Sequence, residues 1–181
     1  MVGRDVSDGQ AIIDLELKPF SEVKPDLSLE LRIDTLKLTF DLLVELDLTS
    51  RPSYNRDKLL AYDAFLCGWS LAHPRYHAQG TRPAVVFLCT NPHAAMALAR
   101  EADQALTGRI GVMGTAAEHW YYPGRDHTFF VIETDIHHGD LSALALPGRP
   151  PGLRERLTGS TDLALERIAL LSETLIQPSK K

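Results

Sequence analysis

Three acids and a lysine have the types and spacing to act together. Asp26, Glu45 and Asp47 offer hard oxygen donors, and Lys58 offers a cation a short way downstream. A Mg²⁺ ion takes oxygen ligands and usually keeps several waters, so two or three carboxylates suffice to hold it; Mn²⁺ suits the same donors. Held there, it would lower the pKa of a bound water and neutralise charge on a phosphoryl group. Lys58 would steady that phosphate, and Tyr62, one helical turn later, would share its face.

The acids meet only if the segments that carry them pair as strands. In one segment Ile13, Leu15 and Leu17 alternate with Asp14, Glu16 and Lys18. In a second, Leu27, Leu29, Leu31 and Ile33 alternate with Asp26, Ser28, Glu30 and Arg32. The third and longest sets Leu36, Leu38, Phe40, Leu42, Val44, Leu46 and Leu48 against Lys37, Thr39, Asp41, Glu45, Asp47 and Thr49, interrupted only by Leu43. Period two of this quality predicts half-buried antiparallel strands joined as a three-strand meander, with one face wet. A turn at Asp34-Thr35 pairs positions that sum to about 69, placing Asp26 opposite Leu43 and diagonally beside Glu45. Diagonal neighbours lie about 7–8 Å apart, within reach of a shared cation.

A blander account competes with the metal site. Acids are expected on a wet sheet face, although Glu and Asp are poor strand formers. Lys58 then becomes a solvated residue whose stem covers apolar surface, and Tyr62, Phe65 and Trp69 become core. Both accounts stay open at this level.

Downstream, Pro52 and Ser53 open a helix on which Leu59, Tyr62, Leu66 and Trp69 fall near helical spacing, ended by His73-Pro74. The apolar run Ala84-Val85-Val86-Phe87-Leu88-Cys89 predicts a central strand covered on both faces. Thr90 or Asn91 caps a second helix with Pro92 in its first turn, running to Gly108. Further strands are expected near Ile110 to Met113 and at Thr128 to Ile136. The expected organisation is an α/β domain over 1–146, a Pro/Gly-rich loop over 147–159 and a helix over 160–177 packing on the same domain. In that helix Leu163, Ile168, Leu171 and Leu175 are available for packing.

Pro25-Asp26, followed eighteen residues later by Glu45-Leu46-Asp47, resembles the PD-(D/E)xK nuclease superfamily with its restriction-endonuclease-like fold. More narrowly, "KPDLSLEL", "FDLLVELDLTSRP", "KLLAYDAFL" and "PAVVFLCTN" are similar to the actinobacterial replication-relaxation family, over about residues 20 to 100. That resemblance implies an α/β (α+β) fold. Its mixed sheet would begin with the antiparallel meander and carry helices on both faces. It implies a Mg²⁺- or Mn²⁺-dependent nuclease-like domain acting on DNA in plasmid or mobile-element replication and transfer. The family's metal-binding acids fall on Asp26 and Glu45; Asp47 would support a metal ligand or hold a second ion, and Lys58 would complete the catalytic set by steadying the scissile phosphate. Two departures stand out. Asp47 occupies the motif's lysine position, so Lys58 on the following helix would take that part. Only about ten polar residues precede the first strand, where the superfamily has a helix, so the chain could be a domain of a longer protein with a winged-helix region ahead of it. The alternative is a catalytically inactive module of the same fold that binds DNA or a replication or mobilisation protein.

Composition bounds these readings. The chain has 181 residues, suited to one domain, and 44 % are hydrophobic, enough for a sizeable core. Its net charge of −5 argues against a nonspecific DNA-coating protein but not against an enzyme that gathers carboxylates around a metal. Cys67 and Cys89 are expected to be small core residues in a reducing compartment. No apolar run spans a bilayer and the first residues lack a signal core, so a cytoplasmic location away from membranes is expected. Asp135, His137, His138 and Asp140 form a second cluster, read as a strand-end turn at Gly139 rather than a transition-metal site. Arg75, His77 and Arg82 in one loop and Arg149, Arg154 and Arg156 in another offer possible phosphate contacts.

Overall fold

A computed structural model describes residues 11–13, 23–33, 38–47, 52–72, 82–111, 119–148 and 163–170 of the chain. The second and third alternating segments pair as their period requires, whereas of the first only Ile13 falls in a described strand and residues 14–18 lie outside the described residues. β1 (Ala11–Ile13), β2 (Leu27–Ile33) and β3 (Leu38–Asp47) form the antiparallel meander. After it come helix α1 (Pro52–Ala72), strand β4 (Ala84–Cys89) and helix α2 (Pro92–Ala105). β5 (Arg109–Gly111) pairs with β6 (His119–Tyr121) as a separate two-stranded sheet. The one-turn helix α3 (Pro123–Asp126) leads into β7 (Thr128–Ile132), and the short helix α4 (Glu133–His137) into β8 (Ser142–Ala145) and β9 (Glu166–Ala169).

The main sheet has seven strands in the order β1-β2-β3-β4-β7-β8-β9. β3, β4 and β7 run parallel at its centre, and antiparallel strands flank them on both sides. This is a mixed α/β architecture. The two crossovers, β3 to β4 through α1 and β4 to β7 through α2, step the same way across the sheet. Crossovers of one hand that step the same way put their helices on one face. Accordingly α1 and α2 both pack on the side formed by Leu43, Val85, Phe87, Cys89, Phe130 and Ile132. The expectation of helices on both faces is thus met on one face. Among the described residues the opposite cluster, with Phe40, Leu42, Val86, Phe129 and Val131, comes from strands and from Leu170 just after β9.

Local signals account for the element ends. The Asn91 side chain accepts the Ala94 N–H at 2.9 Å, with Pro92 in the first turn, so Asn91 is the cap of α2. Gly108 follows that helix at φ +97°, where a Cβ would lie 2.3 Å from the Tyr122 ring, so only glycine fits. Two expectations change. The apolar stretch from Thr128 ends as a strand at Ile132, and Glu133–His137 turn into α4. Within 160–177, Glu166–Ala169 form β9 on the edge of the sheet rather than a helix. Pairing with β8 supplies backbone partners that outweigh a helical spacing of only a few apolar residues. Cys89 is buried as expected, whereas Cys67 is half-buried; both are free thiols.

The polar face of the meander also differs from expectation. Ser28, Glu30, Asp41 and Glu45 are all buried on the side that the alternation marks as wet, and over Glu45 the covering element is α1. Glu30 and Asp41 stand directly opposite one another in the register and are both engaged by neighbouring groups. Near α1, helix α3 acts as a brace. Its Gly124 N–H donates to Asp63 Oδ1 of α1 at 2.9 Å, and a Cβ at Gly124 would meet that oxygen at 2.6 Å. Arg125 pairs with Asp103 of α2 at 2.8 Å and also donates to the Pro147 carbonyl, with both side chains about 2 % exposed.

Removing one partner of a buried ion pair strands the other charge, which costs about 3–5 kcal/mol. Arg125→Met is therefore expected to lower the urea-unfolding free energy by about that much. A loss under about 1 kcal/mol would show that the pair does not brace the helices.

Candidate metal and phosphate site

Glu45 lies near the carboxyl end of β3, on the face that α1 covers, and is 1 % exposed. In parallel α/β sheets the carboxyl ends of the strands are where sites form. Two side chains of α1 reach down to it. Lys58 Nζ donates to Glu45 Oε2 and Tyr62 OH donates to Glu45 Oε1. Their spacing of four residues sets both on the same stripe of the helix, as expected from the sequence. Phe87, the parallel partner of Glu45 on β4, meets the Tyr62 ring edge to face at 6.4 Å and keeps water from that side.

Asp26 arrives from the other strand. Leu27 pairs with Val44 and Leu29 with Leu42, so the register is shifted by two residues from the expected pairing. A shift of two preserves the face, whereas a shift of one would turn every side chain over. Continued by one residue, this register sets Asp26 across from Glu45 instead of diagonal to it. Asp26 Oδ2 accepts the Leu46 N–H at 2.8 Å, which ties the start of β2 to the end of β3. Its charge reaches Glu45, Lys58 and Tyr62. The structure thus brings Asp26, Glu45 and Lys58 together. Asp47 ends β3 with its backbone beside Cys89, and its side chain lies outside the described residues.

Burial pushes the Glu45 carboxyl above its usual range, against the pull of the Lys58 and Tyr62 donors and the Lys58 charge. For Lys58, burial works to lower the ammonium, but the hydrogen bond and charge of Glu45 hold it above its ordinary value. Burial, then the charge and hydrogen bond of Glu45, raise the Tyr62 phenol far above its ordinary value. The Lys58 and Tyr62 shifts describe one arrangement, which burial of Glu45 opposes. Protons stay on Lys58 and Tyr62, and the carboxylate accepts from both.

The site opens into a pocket of about 420 Å³ whose lining includes Lys24, Glu45, Tyr54, Asp57, Lys58 and Tyr62. Tyr54, in the first turn of α1, carries no sequence signal beyond its place one turn before Lys58. Its ring lies under the Lys58 ammonium, 5.4 Å from the centroid. The carboxylates of Asp26 and Glu45 are the hard donors that Mg²⁺ or Mn²⁺ takes, and two of them fit an ion that keeps most of its waters. Among the described residues no group of three or more His, Cys, Asp or Glu forms a denser cage.

The remaining candidates fall elsewhere. Asp135 and His137 sit on α4 rather than a strand, and His137 lies 3.7 Å from Glu133 one turn back. His138 and Gly139 form the turn that follows, with Gly139 at φ +78°. Asp135 and Asp140 both accept from Arg167 of β9, at 2.9 and 2.7 Å, so that cluster pins the sheet edge. Arg82 Nε donates to the Leu66 carbonyl at 3.2 Å. Arg75, His77, Arg149, Arg154 and Arg156 lie outside the described residues. No helix among the described residues is long and apolar enough to cross a membrane. Comparison with known proteins finds no matching family model, no matching curated protein and no matching solved structure.

Lys58 and Tyr62 keep protons in the folded state that the unfolded chain releases near 10.5 and 10.0. The folded state binds more protons in that range, so stability is fully present below pH 10 and falls as pH rises beyond it. Urea midpoints of the wild-type protein should decline above about pH 10. Tyr62→Phe should flatten that decline while costing about 1–3 kcal/mol at neutral pH, because a buried carboxylate oxygen loses its donor. Parallel pH profiles for the two proteins would contradict the assignment.

Proposed function

We propose that this chain is a divalent-metal-dependent nuclease-like domain acting on DNA in plasmid or mobile-element replication or transfer. The observation that carries the reading is the Glu45–Lys58 pair at one open pocket, with the strand register setting Asp26 across from Glu45 and the Asp26 charge reaching both. The element order supports it. An antiparallel meander, a helix, an apolar parallel strand and a second helix follow in the succession expected of a restriction-endonuclease-like core.

In this reading Asp26 and Glu45 hold Mg²⁺ or Mn²⁺. The bound ion supplies charge neutralisation at the phosphate and a lowered pKa for a coordinated water. The protein does the rest. Tyr62 orients the Glu45 carboxylate by donating to Oε1, and the buried wall of Phe87 keeps that carboxylate out of bulk water. Lys58 reaches the pocket from the same helix turn and offers its ammonium to a phosphate oxygen, where charge develops during displacement. Asp26, tied to the Leu46 N–H, holds the two strand ends in register beside the phosphate.

One observation favours the second reading, an inactive module of the same fold that binds DNA or a replication partner. Lys58 already serves as counterion to Glu45, so the carboxylate is satisfied without a metal.

Incubation with supercoiled plasmid decides between them. The nuclease reading expects nicking with Mg²⁺ or Mn²⁺, and a fall of about 100-fold or more in Asp26→Ala, Glu45→Gln and Lys58→Met variants that retain the wild-type fold. Wild-type protein that leaves the plasmid intact with either ion, and gives no heat on calorimetric titration with Mg²⁺, sinks the enzyme and supports the module.

A further inference from the structure

Tyr54 lies in the first turn of α1, on the lining of the site's pocket. It is 57 % exposed at the mouth of the site, whereas Tyr62, two turns along the same helix, is fully buried. One side of the Tyr54 ring faces the Lys58 ammonium. The pocket it lines also includes the exposed Lys24. An aromatic plate beside two ammonium groups is suited to a ligand that is both flat and anionic. A nucleotide is such a ligand, and a pocket of about 420 Å³ has room for one.

Charge alone would not bind it. Lys24 and Lys58 are balanced in the lining by Glu45 and Asp57, so the pocket carries no formal excess of positive charge. A duplex held only by its phosphates would gain little there. The ring therefore decides. Every nucleobase has a π-face, and stacking on an aromatic side chain tolerates any sequence. A base inside a duplex already has both faces covered by its neighbours, so stacking on Tyr54 requires an unpaired one.

We infer that Tyr54 is a stacking platform for one unpaired DNA nucleotide, whose phosphate Lys24 holds beside the site. This rests on the proposed action on DNA but needs neither metal nor cleavage. A nuclease so equipped acts at single strands, flaps or gaps rather than on intact duplex.

The test is a binding titration in EDTA, with a fluorescent single-stranded oligothymidylate and a blunt duplex of equal length as probes. Wild-type protein should prefer the single strand. Tyr54→Ala should weaken its binding about ten-fold or more while changing duplex binding less than two-fold, and Tyr54→Phe should keep the wild-type affinity to within about two-fold. Lys24→Ala should weaken the single strand and reduce the salt slope by about one. Equal affinity of wild type and Tyr54→Ala for the single strand, or a preference for the duplex, overturns the inference. Protein that binds oligothymidylate through Tyr54 yet nicks nothing keeps this inference and discards the nuclease. Protein that nicks plasmid through Asp26 while Tyr54→Ala binds unchanged does the reverse.

Discussion

Glu45 lies between β3 and α1 at 1 % exposure, and an ionised carboxylate there is tolerable only because Lys58 and Tyr62 both donate to it. Most of the geometry of the site follows from that requirement. Both donors must stand on one stripe of α1, which sets the rotation of the helix about its own axis. They must reach the end of β3, which sets how far along the sheet the helix sits. Helix α3 holds α1 through the Gly124 N–H bond to Asp63 and ties itself to α2 through Arg125 and Asp103. The apolar contacts of Leu59, Leu66 and Trp69 supply the area, while the polar contacts choose the orientation.

The placement also shapes what the site can do. A carboxylate satisfied by a lysine is a poised arrangement. The Lys58 ammonium occupies one oxygen of Glu45, and the same pocket opens to solvent past Tyr54. Asp26 adds a second carboxylate on the exposed side, held by a backbone N–H rather than by a cation. One acid is thus buried and internally neutralised and the other is exposed. Under the proposed function that asymmetry divides the work. The buried acid is oriented in advance, and the exposed one meets the incoming ion.

Much of this was legible in the residues. The period-two segments gave β2 within its observed bounds and β3 within two residues at either end, and the apolar run over 84–89 is β4. Helix α1 opens at Pro52 as its start signal predicts, and Asn91 caps α2. Asp26, Glu45 and Lys58 were singled out by type and spacing, and they meet. The misses have physical causes. The register was displaced by two because Asp34-Thr35 is a weak turn signal, so the hairpin pivot was misplaced while the face was kept. The strand β9 was missed because a short edge strand has too few residues for its period to show against a helical one. Tyr54 was overlooked because an aromatic residue in a first helical turn has no spacing that separates a platform from packing.

Alternation along the chain determined by itself which side chains share a face, and hence that Asp26 and Glu45 would stand on one side of a hairpin. That follows from the two-residue repeat of a strand, which needs no knowledge of the rest of the molecule. Whether that side meets water was decided only by the tertiary structure. The crossover from β3 to β4 lays α1 over Glu45, and an acid expected in solvent becomes a buried group that requires partners, while Asp26 stays exposed. Burial is a property of what packs on a surface, and the residues that pack on Glu45 come from a helix and a strand distant in sequence. The net charge of −5 therefore says less than the place of one carboxylate among those charges.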